Sequence, residues 1–257
     1  MKQIPNLFTL TNLFLGAVAI VFALQTQSVL IYTNDEFASS FNIPENLSVA
    51  ALLLFFAAVV DFLDGFVARL FKATSEMGKQ LDSLADVVSF GVAPGVIVYQ
   101  LLRMSYAQEE MGLDVSIFLL LPAFLISCAA AYRLAKFNID TTQQYGFKGV
   151  PTPAVGLLIA SFPLILHFPS GFININEWLI NKWFLYSVII VVSWLMVSNL
   201  PLLALKFKNF SFKNNQPQFI LIALGIVAVL LLRWLAIPVI FIAYIILSLL
   251  FKNKQST

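Results

Sequence analysis

The chain has 257 residues, of which 60% are hydrophobic and 11% charged, with a net charge of +2. Charge this sparse excludes an ordinary soluble domain, where about 25% of residues are charged. The net charge is too small to suggest nucleic acid, and one cysteine, Cys128, excludes an intrachain disulfide.

A membrane span needs about 20 apolar residues. Stretches that fit lie at roughly 7–25, 48–71, 81–103, 115–137, 152–168, 181–205, 217–233 and 235–251. They predict an all-α, polytopic helical membrane protein of about eight transmembrane helices, a single domain over residues 1–257. Orientation follows the Lys and Arg residues. With a cytoplasmic N-terminus, Lys2, Arg69, Lys72, Lys79, Arg133, Lys136, Lys148, Lys206, Lys208, Lys213, Lys252 and Lys254 fall inside, whereas Arg103, Lys182 and Arg233 fall outside. Both termini are therefore expected in the cytoplasm, and the internal excess of positive charge matches anionic headgroups of membrane lipid.

The first stretch carries Asn6, Thr9 and Asn12 on one helical stripe near its cytoplasmic end. These polar residues argue against a signal peptide. They suit either a bond to a neighbouring helix or the lining of a pocket. The segment that follows, 26–47, holds Asp35, Glu36 and Glu45 without a base and is expected outside.

The second and third stretches carry the strongest signal, Asp61-Phe-Leu-Asp64-Gly65-Phe-Val-Ala68-Arg69 and Gly78-Lys-Gln-Leu-Asp82-Ser-Leu-Ala-Asp86. Each Asp near a helix centre costs about 2.5–3.5 kcal/mol on insertion scales, so four left alone would cost roughly 10–14 kcal/mol. Asp61 and Asp64 share one helix face, and Asp82 and Asp86 share another. A turn near residue 73 sets 64 against 82, 61 against 86 and Arg69 against Gly78. Gly65, Ala68 and Gly78 permit close approach, and the Arg69 fork suits phosphate. Such a site fits hard divalent cations, Mg²⁺ or Mn²⁺, with oxygen ligands. Two such ions about 3.5–4 Å apart can clamp a phosphoryl group. Spacing alone leaves a cation transporter as an alternative.

Further along, Cys128 is expected as a buried small apolar residue. Arg133, Lys136 and Asn138 end the fourth stretch, and Lys148 precedes Pro151-Thr152-Pro153, which opens the fifth. His167 falls at the outer end of that stretch. Trp178, Trp183, Trp194 and Trp234 fall near interfaces. A break at Arg233-Trp234, with Pro238 just beyond, separates the last two stretches.

The pattern D-x-x-D-G-x-x-A-R-x8-G-x3-D-x3-D, here Asp61 through Asp86, resembles the signature of the CDP-alcohol phosphotransferase family at every fixed position. Ser89-Phe-Gly-Val-Ala-Pro94, Arg133-Leu-Ala-Lys-Phe-Asn138, Gly149-Val-Pro-Thr-Pro153 and Ile4-Pro-Asn-Leu-Phe-Thr-Leu-Thr-Asn12 are similar to its phosphatidylserine synthase branch. The resemblance is carried by about 4–165, the family-like core runs to about 205, and spans at about 217–251 are additional. It implies transfer of a phosphatidyl group from CDP-diacylglycerol to the serine hydroxyl, with release of CMP. It also implies Asp61, Asp64 and Asp82 as metal ligands, and Asp86 as general base that also touches a metal. Gly65, Ala68, Arg69 and Gly78 would cradle the cytidine and phosphates, with Thr9 and Asn12 beside them. For the serine carboxylate we expect Arg133 first, then Lys148 and Lys136. A homodimer in the cytoplasmic membrane, its site facing the cytoplasm, is implied as well. Acceptors such as glycerol phosphate or inositol phosphate, and an archaeal ether-lipid donor, stay open within the family.

Overall fold

The computed structural model describes residues 4–25, 45–71, 75–109, 115–139, 147–169, 175–203 and 215–251. Long helices dominate it: α1 (Ile4–Leu24), α2 (Glu45–Leu70), α3 (Glu76–Val87), α4 (Ala93–Tyr106), α5 (Ile117–Leu120), α6 (Leu125–Ile139), α7 (Thr152–His167), α8 (Asn176–Leu179), α9 (Lys182–Val197), α10 (Gln216–Leu232) and α11 (Ala236–Leu250). A chain in lipid must satisfy its backbone hydrogen bonds internally, which helices do. Their ends are set locally. The Ser75 hydroxyl accepts from Gly78 N–H at 3.0 Å to start α3, and Asn181 accepts from Trp183 N–H at 2.9 Å to start α9.

Among the described residues, five helical runs are long and apolar enough to cross a membrane: Pro5–Leu24, Asn46–Leu70, Glu76–Tyr106, Ile117–Ile139 and Gln216–Leu250. The last contains two of the expected stretches. A three-residue 3₁₀ turn, Arg233–Leu235, interrupts it, with Arg233 at φ 51°. The chain reverses there, because a Cβ on Gly225 would lie 3.7 Å from Ile240 Cδ1. Two further apolar helices, α7 and α9, have 16 residues each. Expected and observed helices coincide within a few residues except in the sixth stretch. There α9 stops at Val197, and Pro201–Leu202 instead forms a short strand, β2. It pairs antiparallel with β1 (Phe147–Lys148), setting Phe147 opposite Leu202.

Gly149 makes this connection possible. Its φ is +76°, and a Cβ there would stand 2.6 Å from the Met196 carbonyl oxygen. Its N–H donates to Leu200 O at 2.9 Å, and Val150 N–H donates to Leu195 O at 3.1 Å. The segment before α7 is thereby fastened to the end of α9.

The core is formed chiefly by α4 and α7, buried on nearly all sides, whereas α10 shows most of its apolar surface. Exposed Phe, Leu, Ile and Val on α1, α2, α10 and α11 suit contact with acyl chains. Cys128 departs from expectation, for it faces outward rather than into the core. In a bundle apolar on every side, composition does not reveal which face is inside.

Between α3 and α4 the helix widens into a π turn, Val88–Val92, where Ala93 N–H reaches back to Val88 O. Pro94 has no N–H for the Phe90 carbonyl, which accounts for a defect at this place. Neighbouring helices close on the turn. A Cβ on Gly91 would come within 2.9 Å of Ala130 Cβ, and one on Gly16 within 2.7 Å of Ser89 Cα. The Ser89 hydroxyl also donates to Asn12 O at 3.0 Å, tying α1 to the turn.

Candidate functional site

Asp61 and Asp64 lie on the last third of α2, and Asp82 and Asp86 on α3. The helices return on each other as the spacing requires. Asp61, Asp64 and Asp82 each present an oxygen, and these all fall within 4.8 Å of one another. Asp61 also lies within hydrogen-bond reach of both Asp82 and Asp86. The two expected layers are therefore staggered, with Asp61 bridging them. Asp86 sits one turn deeper, buried beside the π turn.

The polar stripe of α1 meets this cluster. Thr9 Oγ1 donates to Asp64 Oδ2 at 2.8 Å, and Asn12 Nδ2 points to Asp86 Oδ1 at 3.4 Å. Both residues are buried. They thus do the first of the two things their positions allowed, bonding to neighbouring helices, while Thr9 also lines the adjoining cavity. These donors compensate only part of the acidic charge. Among the described residues, no salt bridge reaches the four aspartates. Asp82 Oδ1 is buried without a partner. Clustered carboxylates with an unmatched oxygen are a fitting oxygen donor set for a hard divalent cation.

A cavity of about 490 Å³ opens beside the cluster, lined by Thr9, Asp64, Gly65, Ala68, Gly78 and Asp82 among others. A Cβ on Gly65 would meet nothing within 4 Å, so that glycine faces open space. A Cβ on Gly78 would instead stand 3.0 Å from Ser75 Oγ and 3.2 Å from Asn6 Oδ1 on α1, with Arg69 not within 4 Å. Arg69 is exposed at the end of α2 and does not line the cavity. Lys79, which no fixed position of the motif marks, does line it. Its Nζ also donates to the Asn138 carbonyl at 3.2 Å, while Asn138 Nδ2 donates to Ser83 Oγ at 2.8 Å.

Of the residues expected at the acceptor whose side chains are described, Arg133 is the one directed toward the cluster. It is 7% exposed and interacts electrostatically with Asp86. Its Nη1 approaches Thr152 Oγ1 at 3.5 Å, and its Nε has no partner. Lys136 turns the other way and donates to Asn199 Oδ1 at 2.7 Å. The Lys148 side chain lies outside the described residues, although its backbone forms β1. His167 and the exposed Trp178 and Trp183 stand at the opposite end of the bundle.

The arrangement offers three carboxylates able to hold a metal ion, a cavity beside them, and the buried Asp86 next to Asp61. Comparison with known proteins points the same way. The model of the CDP-alcohol phosphatidyltransferase family matches residues 2–196. The chain is 36% identical over 224 residues to a Helicobacter pylori protein named CDP-diacylglycerol–serine O-phosphatidyltransferase, covering 85% of this chain and 77% of that one. Proteins of the same name are 34% identical in Bacillus subtilis, covering 65% of this chain and 81% of that relative. In Methanocaldococcus jannaschii the figures are 32% identity, 66% of this chain and 73% of the relative.

Proposed function

The chain belongs to the CDP-alcohol phosphatidyltransferase family, and from that premise we propose that it transfers the phosphatidyl group of CDP-diacylglycerol to serine. The observation that carries this reading is the convergence of Asp61, Asp64 and Asp82 within 4.8 Å, with buried Asp86 next to them. Asp61, Asp64 and Asp82 hold Mg²⁺ or Mn²⁺, with Asp86 at the edge of the same site. When bound, a divalent cation keeps the carboxylates ionised and draws charge from the reacting phosphate.

The rest is done by the chain itself. Gly65, Ala68 and Gly78 leave room for the CDP moiety, and Thr9 and Asn12 orient the aspartates that face it. Lys79 and Arg69 supply positive charge toward the diphosphate, Lys79 from the cavity wall and Arg69 from the solvent side. Asp86 takes the proton of the serine hydroxyl as its oxygen attacks the phosphorus that carries diacylglycerol. The bond from that phosphorus to the bridging oxygen breaks, and CMP leaves. Arg133, with its unpartnered Nε, receives the serine carboxylate. Lys148 is the second candidate there, and Lys136, held by Asn199, the weakest.

The Lys and Arg distribution supports a site facing the cytoplasm of the cytoplasmic membrane, where nucleotide and serine are available while the acyl chains stay in lipid. Family membership supports a homodimer. The test is CMP release by purified protein given CDP-diacylglycerol, serine and Mg²⁺ or Mn²⁺. Release should require both serine and metal. Release driven by glycerol phosphate or inositol phosphate but not serine, or ion flux into liposomes without any CMP, would overturn the reading.

A further inference from the structure

The family match ends at residue 196, before α10 and α11 begin. Even so, α11 is tied through Leu203 to the strand pair that leads to Thr152, the partner of Arg133. Tyr244, buried on α11, donates from its hydroxyl to the Leu203 carbonyl at 3.0 Å. One turn later Ser248 Oγ accepts from Leu203 N–H at 3.2 Å and donates to the Tyr244 carbonyl at 2.7 Å. Both backbone groups of Leu203 are thus held by one helix.

Leu203 directly follows β2, which pairs with β1. From β1 the chain turns through Gly149 to Thr152, whose hydroxyl stands 3.5 Å from Arg133 Nη1. A tyrosine hydroxyl has one proton and two lone pairs. Here the proton goes to the Leu203 carbonyl, so the hydroxyl fixes the residue that directly follows β2.

We propose that α11 is a working part of the acceptor site, with Tyr244 as a positioning residue that, anchored on Leu203, steadies the β1–β2 pair and with it Thr152 beside the Arg133 guanidinium. This rests on the serine-transferase reading above. It assigns the C-terminal hairpin a part in choosing the acceptor, beyond its contact with lipid. Tyr244 acts through the strand pair and Arg133 and touches no reacting atom.

The test uses the full-length protein and measures CMP release against serine and against CDP-diacylglycerol, in wild type, Tyr244→Phe and Ser248→Ala. The phenylalanine keeps the ring and removes the hydroxyl. Without that hydroxyl the KM for serine should rise about threefold to tenfold, the worth of one hydrogen bond, with the donor KM within about twofold. Preference for serine over ethanolamine, which lacks the carboxylate, should fall in step. Ser248→Ala should move the same quantities the same way by less. An unchanged serine KM, or equal rises in both KM values with a lower Tm, would overturn the proposal and leave Tyr244 a packing residue. Should Tyr244→Phe fail to fold, the split in Ser248→Ala decides. A wild type that releases no CMP with serine sinks the underlying function instead, and does so before any variant is made.

Discussion

Asp86 differs from the other three aspartates in depth and company. It is buried, lies outside the set of oxygens within 4.8 Å, and has Asn12 on one side and Asp61 on the other. A carboxylate so placed is oriented without being enclosed by ligands, as a general base must be. Asp86→Asn keeps the shape and removes the basic oxygen. Turnover should fall about 10²-fold to 10⁴-fold, the usual contribution of such a base. Donor binding, followed by equilibrium titration, should change little. A variant retaining near-normal turnover would show that another group takes the proton. The four aspartates were legible in sequence because their spacing and the hairpin turn are one-dimensional facts. The direction of Arg69, Lys136 and Cys128 was not. A long side chain at a helix end can turn either way, and Lys136 is drawn outward by Asn199, 63 residues further along the chain. No periodicity encodes that meeting.

The helices themselves were readable, because lipid demands long apolar runs and the chain supplies them. Less readable were the π turn and the β1–β2 clasp, both of which depend on contacts distant in sequence. Ser89-Phe-Gly-Val-Ala-Pro94 entered as a family likeness, and its physical role emerges from packing. The turn is where α1 and α6 close in, and it begins two residues after the proposed base. Gly16 matters for that reason. A methyl group there would meet Ser89 Cα at 2.7 Å, and a backbone atom cannot step aside. Gly16→Ala should push α1 off the turn and carry Thr9 and Asn12 away from the aspartates. We expect a loss of about 1–3 kcal/mol in stability, typical of overpacking, together with reduced CMP release. Gly225→Ala is the control. Its new methyl would make an ordinary 3.7 Å contact with Ile240, and alanine favours helix by about 0.5–1 kcal/mol. Thermal unfolding in detergent should therefore separate the two substitutions in sign.

At the scale of the whole molecule, the acidic cluster sets function against stability. Three carboxylates whose oxygens lie within 4.8 Å repel one another, and among the described residues only Thr9 and Asn12 donate to the cluster from other helices. Folding alone thus creates an unfavourable site that a bound cation relieves. A ligand that binds only the folded state stabilises it by about 2.7 kcal/mol at a hundred times its Kd. The purified protein should therefore melt several degrees higher in Mg²⁺ or Mn²⁺ than in EDTA. Asp61 bridges the two layers, so Asp61→Asn should have two opposed effects. It should raise the melting temperature in EDTA, because a repelling charge is gone, and it should erase most of the gain from metal. A protein whose stability ignores metal, or an Asp61→Asn variant less stable than wild type in EDTA, would mean that the cluster is already neutralised within the fold. The metal-dependent reading of the site would then fail at its physical root, since no unmet charge would remain for a cation to satisfy.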